Sequence, residues 1–289
     1  MILKRKDNRE LDAFKLEQLL LLSLTAEQKF LIERELKWLR AGEKGEKDSA
    51  YFLDFSFQDS NKAIVIHDLR LEHFGQVAQI DHLLINRLLE FYILESKNFS
   101  YGVKINDTGE FMVWDVRGYK GIRSPIEQNK RHLKLLQKII NANDIMPKRL
   151  GITLTPSFKS YVIISPASRI IRPRASKFDT GSVIKADMFA SMYENELSMP
   201  KDIIAVAKIV SAETVIGIGK KLIKLHKPNN INYSAKFGIK EKSANICAEC
   251  GAKVSERVYK YCHENKKFFD GRVVCYKCQD LIKQSKQIV

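Results

Sequence analysis

The sequence is poor in cysteine and in acid, and it has no long apolar run. Five cysteines in 289 residues cannot staple a chain of this size. Four of them stand in two C-x-x-C pairs near the C-terminus. This excludes a disulfide framework and predicts metal binding in a reducing compartment. The leucine run Leu19 to Leu22 lies between Glu17 and Glu27, and it falls far short of the roughly 20 apolar residues that cross a bilayer. No secretory leader is visible, so a cytoplasmic protein with no membrane partner is expected. Acids number 34 against 49 lysines and arginines, a formal net charge of +15. Such an imbalance favours a polyanionic partner, nucleic acid first and DNA preferred.

What is present is a core. The chain is 45% hydrophobic, enough to fold without disulfides. Residues 1 to 24 alternate charge with leucine and read as a helical arm. Thr25 and Gln28 have the spacing of a capping box and open a helix through Phe30, Leu31, Leu36 and Leu39. That helix is expected to end near Gly42, with a second beginning near Glu46. The period then shortens. Ala63 to His67, Val77 to Ile85, Phe91 to Lys97, Phe111 to Val116 and Tyr161 to Ser165 read as strands. Pro125 to Ile140 reads as a helix with proline in its first turn. Helices near Asp187 to Tyr193, Pro200 to Val210 and Ala212 to Leu225 follow. The class is α/β.

The informative segment runs from Gln76 to Asn98. Two apolar strands paired as a hairpin centred near Leu88 would set Asp81 opposite Glu95. The period of two then puts Lys97 on the face of Glu95. Charges inside apolar, doubly covered strands are costly unless paired or bound to a cation. Phosphodiester hydrolysis supplies a reason to keep them. Asp81 and Glu95 can hold Mg²⁺ or Mn²⁺, with the Ser96 carbonyl as a further ligand, while Lys97 orients the attacking water. His82 points to the other face and reads as a packing residue.

Four blocks occur in order: Gly42-Glu-Lys-Gly45-Glu46; Gln79-Ile-Asp81-His82; Glu95-Ser-Lys97-Asn98 with Gly102; and Ser124-Pro125-Ile-Glu-Gln128-Asn129-Lys-Arg-His132. Together they resemble the nuclease-related domain family, NERD, a branch of the PD-(D/E)xK superfamily, over roughly Leu39 to Leu154. The resemblance implies a restriction-endonuclease-like core, a central mixed sheet flanked by helices, and a metal-dependent nuclease. It maps Asp81 and Glu95 to the metal-binding acids and Lys97 to the motif lysine. By resemblance alone, Glu46 is the acid of the first helix and Gln128 a polar residue near the site. Glu43, one turn earlier, competes with Glu46. His132 reads as a surface residue one turn after Gln128.

The organisation expected is an N-terminal arm over 1–40, the nuclease-like domain with its following helices over 41–226, a polar linker over 227–245, and a metal module over 246–289. Arg117, Lys120, Arg123, Lys130, Arg131, Lys134 and Lys138 form one basic cluster on a loop and helix. Arg169, Arg172, Arg174 and Lys177 form another. No aromatic–basic ladder suggests base reading, so backbone contacts are expected more than sequence readout. Cys247, Cys250, Cys275 and Cys278 have the pairing of a structural Zn²⁺ site, and Cys262 reads as a packed helix residue. Two alternatives stay open: a non-catalytic nucleic-acid-binding protein, and a zinc module that docks a protein partner.

Overall fold

Alternation and register decide the layout. In the computed structural model, which describes residues 1–99, 101–115, 118–174, 178–199, 208–239 and 246–286, the chain divides into two compact units. One comprises Met1–Lys6 and Gly42–Pro228; the other comprises Asp7–Ala41 and Asn229–Val289.

The first unit is built on a mixed sheet. Its strands are β1 (Ile2–Lys4), β2 (Ala63–His73), β3 (Gln76–Asn86), β4 (Glu90–Lys97), β10 (Ser157–Ile164) and β12 (Val183–Lys185), in the order β1-β2-β3-β4-β10-β12. β2, β3 and β4 run antiparallel, and β1, β10 and β12 each join parallel to their neighbours. The hairpin β3–β4 pairs His82 with Leu94 and Ile85 with Phe91, which centres it on Leu88 as the sequence predicts.

Both faces of the central strands are buried. Leu83, Ile85, Phe91 and Ile93 face helices α3 (Pro125–Ala142) and α5 (Ala212–Lys224). Leu84, Tyr92 and Leu94 pack with Leu53 and Phe57 of α2 (Ala26–Phe57) and with Phe189 and Tyr193 of α4 (Phe189–Ser198). The mixed α/β class with a flanked central sheet is therefore the one found. A smaller sheet, β11-β5-β6-β7, holds β5 (Val103–Ile105), β6 (Phe111–Asp115), β7 (Gly118–Ile122) and β11 (Ile170–Ile171); β8 (Lys148–Arg149) and β9 (Ile152–Thr153) form a short ribbon.

Three local expectations change. Residues 2–4 form an edge strand rather than part of a helical arm, and the first helix is α1 (Glu10–Leu20). The break expected at Gly42 is absent, because one helix runs from Ala26 to Phe57. A lone glycine costs a helix only about 1 kcal/mol, and Glu, Lys and Ala neighbours restore it. The stretch around Lys120 is strand β7 rather than loop. The capping box at Thr25 is present, with reciprocal bonds to Gln28 of 3.1 and 3.2 Å. Of the helix expected from Pro200 to Val210, residues 200–207 lie outside the described residues, and Lys208 to Val210 are not helical.

The second unit joins α1 and the first half of α2 to residues 229–286. Leu16, Leu19, Ile32 and Leu36 bury themselves with Tyr233 of α6 (Tyr233–Lys236), and Leu11 and Phe14 pack against the cysteine-containing cluster. α7 (Glu256–Glu264) and α8 (Tyr276–Lys286) complete it. No helix among the described residues is long and apolar enough to cross a membrane.

Gly45 marks where α2 meets the end of β4: a Cβ there would come within 2.7 Å of the Asn98 Cβ. On propensity alone Gly45→Ala should stabilise a helix by up to about 1 kcal/mol. The contact reverses the sign. Gly45→Ala is expected to lower the melting temperature while Gly42→Ala, with open surroundings, raises it; a thermal scan of both variants checks this.

Candidate functional site

Period-two alternation puts Asp81 of β3 and Glu95 and Lys97 of β4 on the α3 side of the sheet. Asp81 is held by the backbone: the Ser96 N–H donates to its Oδ2 at 2.8 Å. The Glu95 carboxylate is buried and receives several groups. Lys97 Nζ lies 2.5 Å from Oε1, Gln128 Nε2 donates to Oε1 at 2.6 Å, and His132 Nδ1 stands 3.4 Å from Oε2. Oε2 itself has no hydrogen bond among the described residues.

The helix that delivers Gln128 and His132 starts cleanly. Ser124 caps it by accepting from the Glu127 N–H at 3.3 Å, with Pro125 in the first turn. Asn129 then fixes it to the sheet, donating to the carbonyls of Ile93 and Tyr161 at 2.8 and 2.9 Å. Gln128 and His132 are one turn apart on this helix, so both reach Glu95. His132 is thus a member of the site and not a surface residue; its side chain is only 12% exposed. Its i,i+4 spacing from Gln128 was the available signal.

Glu46 comes from α2. Its Oε2 pairs with Lys6 Nζ at 2.8 Å, and its charge acts on both Asp81 and Lys97. Among the described residues, Glu46 and not Glu43 acts on Asp81 and Lys97, so the register of α2 favours Glu46. Burial, then the charges of Glu95 and Glu46, pushes the Asp81 carboxyl well above the usual carboxylate range. Burial works against the Lys97 ammonium, but Glu95 and Asp81 outweigh it and raise its pKa.

A divalent cation suits this arrangement on two counts. It would satisfy the orphaned Glu95 Oε2, and it would relieve the repulsion that lifts Asp81. The three carboxylates are not gathered as tightly as the cysteines of the second unit; Glu95 is paired with Lys97 and Glu46 with Lys6.

The opposite face of the same strands carries a polar chain that sequence reading missed. His67 Nε2 lies 2.9 Å from Asp54 Oδ1, His67 Nδ1 lies 2.7 Å from His82 Nδ1, and His82 Nε2 lies 2.7 Å from Ser96 Oγ. A carboxylate only accepts. With both rings neutral, one proton pattern therefore satisfies every atom: Ser96 donates to His82, His82 to His67, and His67 to Asp54. Burial, then His67 and Lys6, holds the His82 pKa well below its ordinary value. Burial raises the Asp54 pKa, but the hydrogen bonds from His67 and Arg5 leave it below the usual range. His82 is buried as expected, yet it is a link to Ser96 rather than simple packing.

The second unit holds the cysteine site. The sulfurs of Cys247, Cys250, Cys275 and Cys278 all lie within 4.8 Å of one another, and none is in a disulfide. Cys250 and Cys275 are 3.7 Å apart, close to the edge of about 3.8 Å expected of a tetrahedron with Zn–S bonds of about 2.3 Å. The first knuckle turns at Gly251, whose φ is +74°, and the Cys275 N–H points at Cys247 Sγ across 3.2 Å. Between the first two cysteines, Glu249 is buried against Lys15 at 3.0 Å and also bonds Arg272. Cys262 lies outside the cluster and bonds the Val274 backbone, as a packed residue would. These four cysteines form a zinc-finger-like module able to hold a metal such as zinc.

Two outcomes follow from these sites. A raised Asp81 pKa means the metal-free fold prefers the protonated acid, so that contribution to stability is full below the unfolded value of 3.8 and is lost as pH rises through the raised value. Asp81→Asn should therefore raise the neutral-pH melting temperature of metal-free protein by a few degrees, the size of about 1 kcal/mol here, and should remove the stabilisation that added Mg²⁺ gives the parent; scanning calorimetry across pH reads both. For the cysteines, purified protein should carry about one zinc per chain by elemental analysis, the stoichiometry of a four-thiolate site, and Cys247→Ser with Cys250→Ser should lose it together with the helicity of α7 and α8.

No curated protein and no solved structure matches the chain. Residues 41–165, which contain Glu46, Asp81, Glu95, Lys97, Gln128 and His132, match the family model NERD, Nuclease-related domain.

Proposed function

We propose that the chain is a Mg²⁺-dependent nuclease that hydrolyses phosphodiester bonds, DNA foremost. The observation that carries this reading is buried Glu95 set against half-buried Asp81, with Lys97 in contact, inside the segment that matches a nuclease-related family. A scaffold that only bound nucleic acid would gain nothing from setting two like charges against each other in its central strands.

Asp81 and Glu95 would hold the cation, with the Ser96 carbonyl as a further ligand. When bound, Mg²⁺ supplies a Lewis acid at the phosphoryl oxygen and a more acidic water. Lys97, beside Glu95, would orient the attacking water and offset charge that develops on the phosphoryl oxygens. Gln128 keeps Glu95 in the orientation that presents Oε2. Glu46, tethered by Lys6, supplies the outer acid that orders water near Asp81. The zinc-finger-like module adds affinity for nucleic acid through its lysines and arginines and takes no part in the chemistry.

The test is incubation of pure protein with linear DNA, circular DNA and RNA in Mg²⁺, Mn²⁺ or EDTA. Cleavage is expected with the metals and not with EDTA. Asp81→Ala should lower it by more than about 100-fold, beyond the effect of disturbing groups around a metal ligand, and Lys97→Ala by about 100- to 1,000-fold, the scale of losing one group that stabilises developing charge. Both variants should still bind DNA by gel shift. Parent protein inert on every substrate would leave a binding protein, and an active Asp81→Ala would remove the site assignment.

A further inference from the structure

The small sheet has two unlike faces. Val103, Ile105 and Phe111 are buried, packing with Ile126, Val162, Ile164 and Val183. By alternation, the other face carries Ile171, Lys104, Met112, Trp114, Tyr119 and Gly121. A solvated strand face is ordinarily polar. Here Trp114 is 52% and Tyr119 47% exposed. They sit directly across the β6–β7 ladder, their ring centroids 5.2 Å apart and their planes at 90°. Perpendicular rings cover at most one of each other's faces, so flat aromatic surface stays open to solvent.

Two further features suit a planar anionic ligand. The Lys104 ammonium lies 4.9 Å from the centre of the Tyr119 ring. Gly121, on the same face of β7 as Tyr119, has nothing within 4 Å of where a Cβ would stand. The backbone beside the rings is therefore bare, and a flat group can approach it. Arg123, just past the end of β7, adds exposed positive charge, in a chain of net charge +15.

Position completes the argument. Three of the sheet's four strands, β5 to β7, are inserted between β4, which carries Glu95, and α3, which carries Gln128 and His132. Lys104 follows Lys97 by seven residues, which bounds their separation at about 25 Å. β7 ends two residues before the Ser124 cap of the helix carrying Gln128.

We propose that the Trp114–Tyr119 face is a stacking platform for unpaired bases of single-stranded nucleic acid, beside the acid site. The proposal rests on the nuclease reading for its purpose, and it names the substrate class as one with unpaired bases. Bases within a duplex are already stacked on each other and cannot lie on these rings. A free strand offers a π-face at every base and phosphates for Lys104, which matches a surface of aromatic rings and cations. A protein partner would need neither the cations nor the bare backbone.

The chain has two tryptophans, so Trp38→Phe leaves Trp114 as the sole indole reporter. The experiment titrates this protein in EDTA with oligothymidylate, and separately with the same strand hybridised to oligoadenylate. Oligothymidylate should quench the Trp114 emission saturably, and the duplex should not. In otherwise unaltered protein, Trp114→Ala should weaken oligothymidylate binding by about 5- to 150-fold, the effect of removing one base–aromatic stack, with duplex binding unchanged. Trp114→Phe should keep most of the affinity and guards against loss of the hairpin in the alanine variant. No quenching by oligothymidylate, equal quenching by duplex, or unchanged affinity in a folded Trp114→Ala protein overturns the platform. Because EDTA suppresses chemistry, quenching without cleavage in Mg²⁺ would refute the nuclease reading alone, and cleavage without quenching would refute the platform alone.

Discussion

Two like charges facing each other in the central strands, Glu95 buried and Asp81 half-buried, set the terms for the first unit. Asp81 and Glu95 would each be expensive in an apolar interior, and together more so. Their surroundings answer this group by group. A backbone N–H serves Asp81, while Lys97, Gln128 and His132 converge on Glu95. The further acid, Glu46, is itself neutralised by Lys6 from the chain's first strand region. Asn129 bonds two strand carbonyls and so holds the helix that supplies Gln128 and His132 at the correct height. The packing of α3 and the course of α2 are in this sense consequences of the acids. Removing Glu95 would leave Lys97 and Gln128 without this partner, and removing Asp81 would do the same to the Ser96 N–H, rather than simply vacate space.

Strand β4 is where the two faces of the sheet meet chemically. Glu95 and Lys97 look toward α3, and Ser96 between them looks toward α2. Ser96 gives its N–H to Asp81 and places its hydroxyl on His82. One residue thus couples the backbone next to the acids to a chain of imidazoles that reaches Asp54, a partly exposed side chain. The chain is directional, because the carboxylate at its far end fixes which nitrogen carries each proton.

The sequence disclosed whatever depends on neighbours along the chain. The shift from a helical period to a period of two located β2, β3 and β4, and the apolar character of both strand faces placed them centrally. The Leu88 centre of the hairpin followed from the short connection, and with it the meeting of Asp81, Glu95 and Lys97. Gln128 required the family resemblance, because nothing local ties a helix glutamine to a strand glutamate over 33 positions. Contacts from afar were not legible. Lys6, Asp54 and His67 join the site by tertiary packing alone. β7 was misjudged because Gly118, Lys120 and Gly121 carry the composition of a loop, and only pairing with β6 makes them a strand. The double cysteine pair was readable since its spacing is itself the signal; the closure of residues 7–41 on residues 229–289 was not, because no pattern along the chain announces it.

That closure bears on how the protein is made. The second unit draws its halves from segments separated by residues 42–228. At roughly 5–20 residues per second, α1 emerges from the ribosome about 10–40 s before the residues that cover Leu16 and Leu19 exist. The first unit can complete its sheet in that interval, whereas the leucines of α1 remain wetted. Their burial also awaits the knuckle that holds Glu249 against Lys15, and a small module of this kind is ordered by its metal. Zinc supply during synthesis, and not only the temperature or the later dilution of the protein, would then set how long an apolar helix stays open to aggregation.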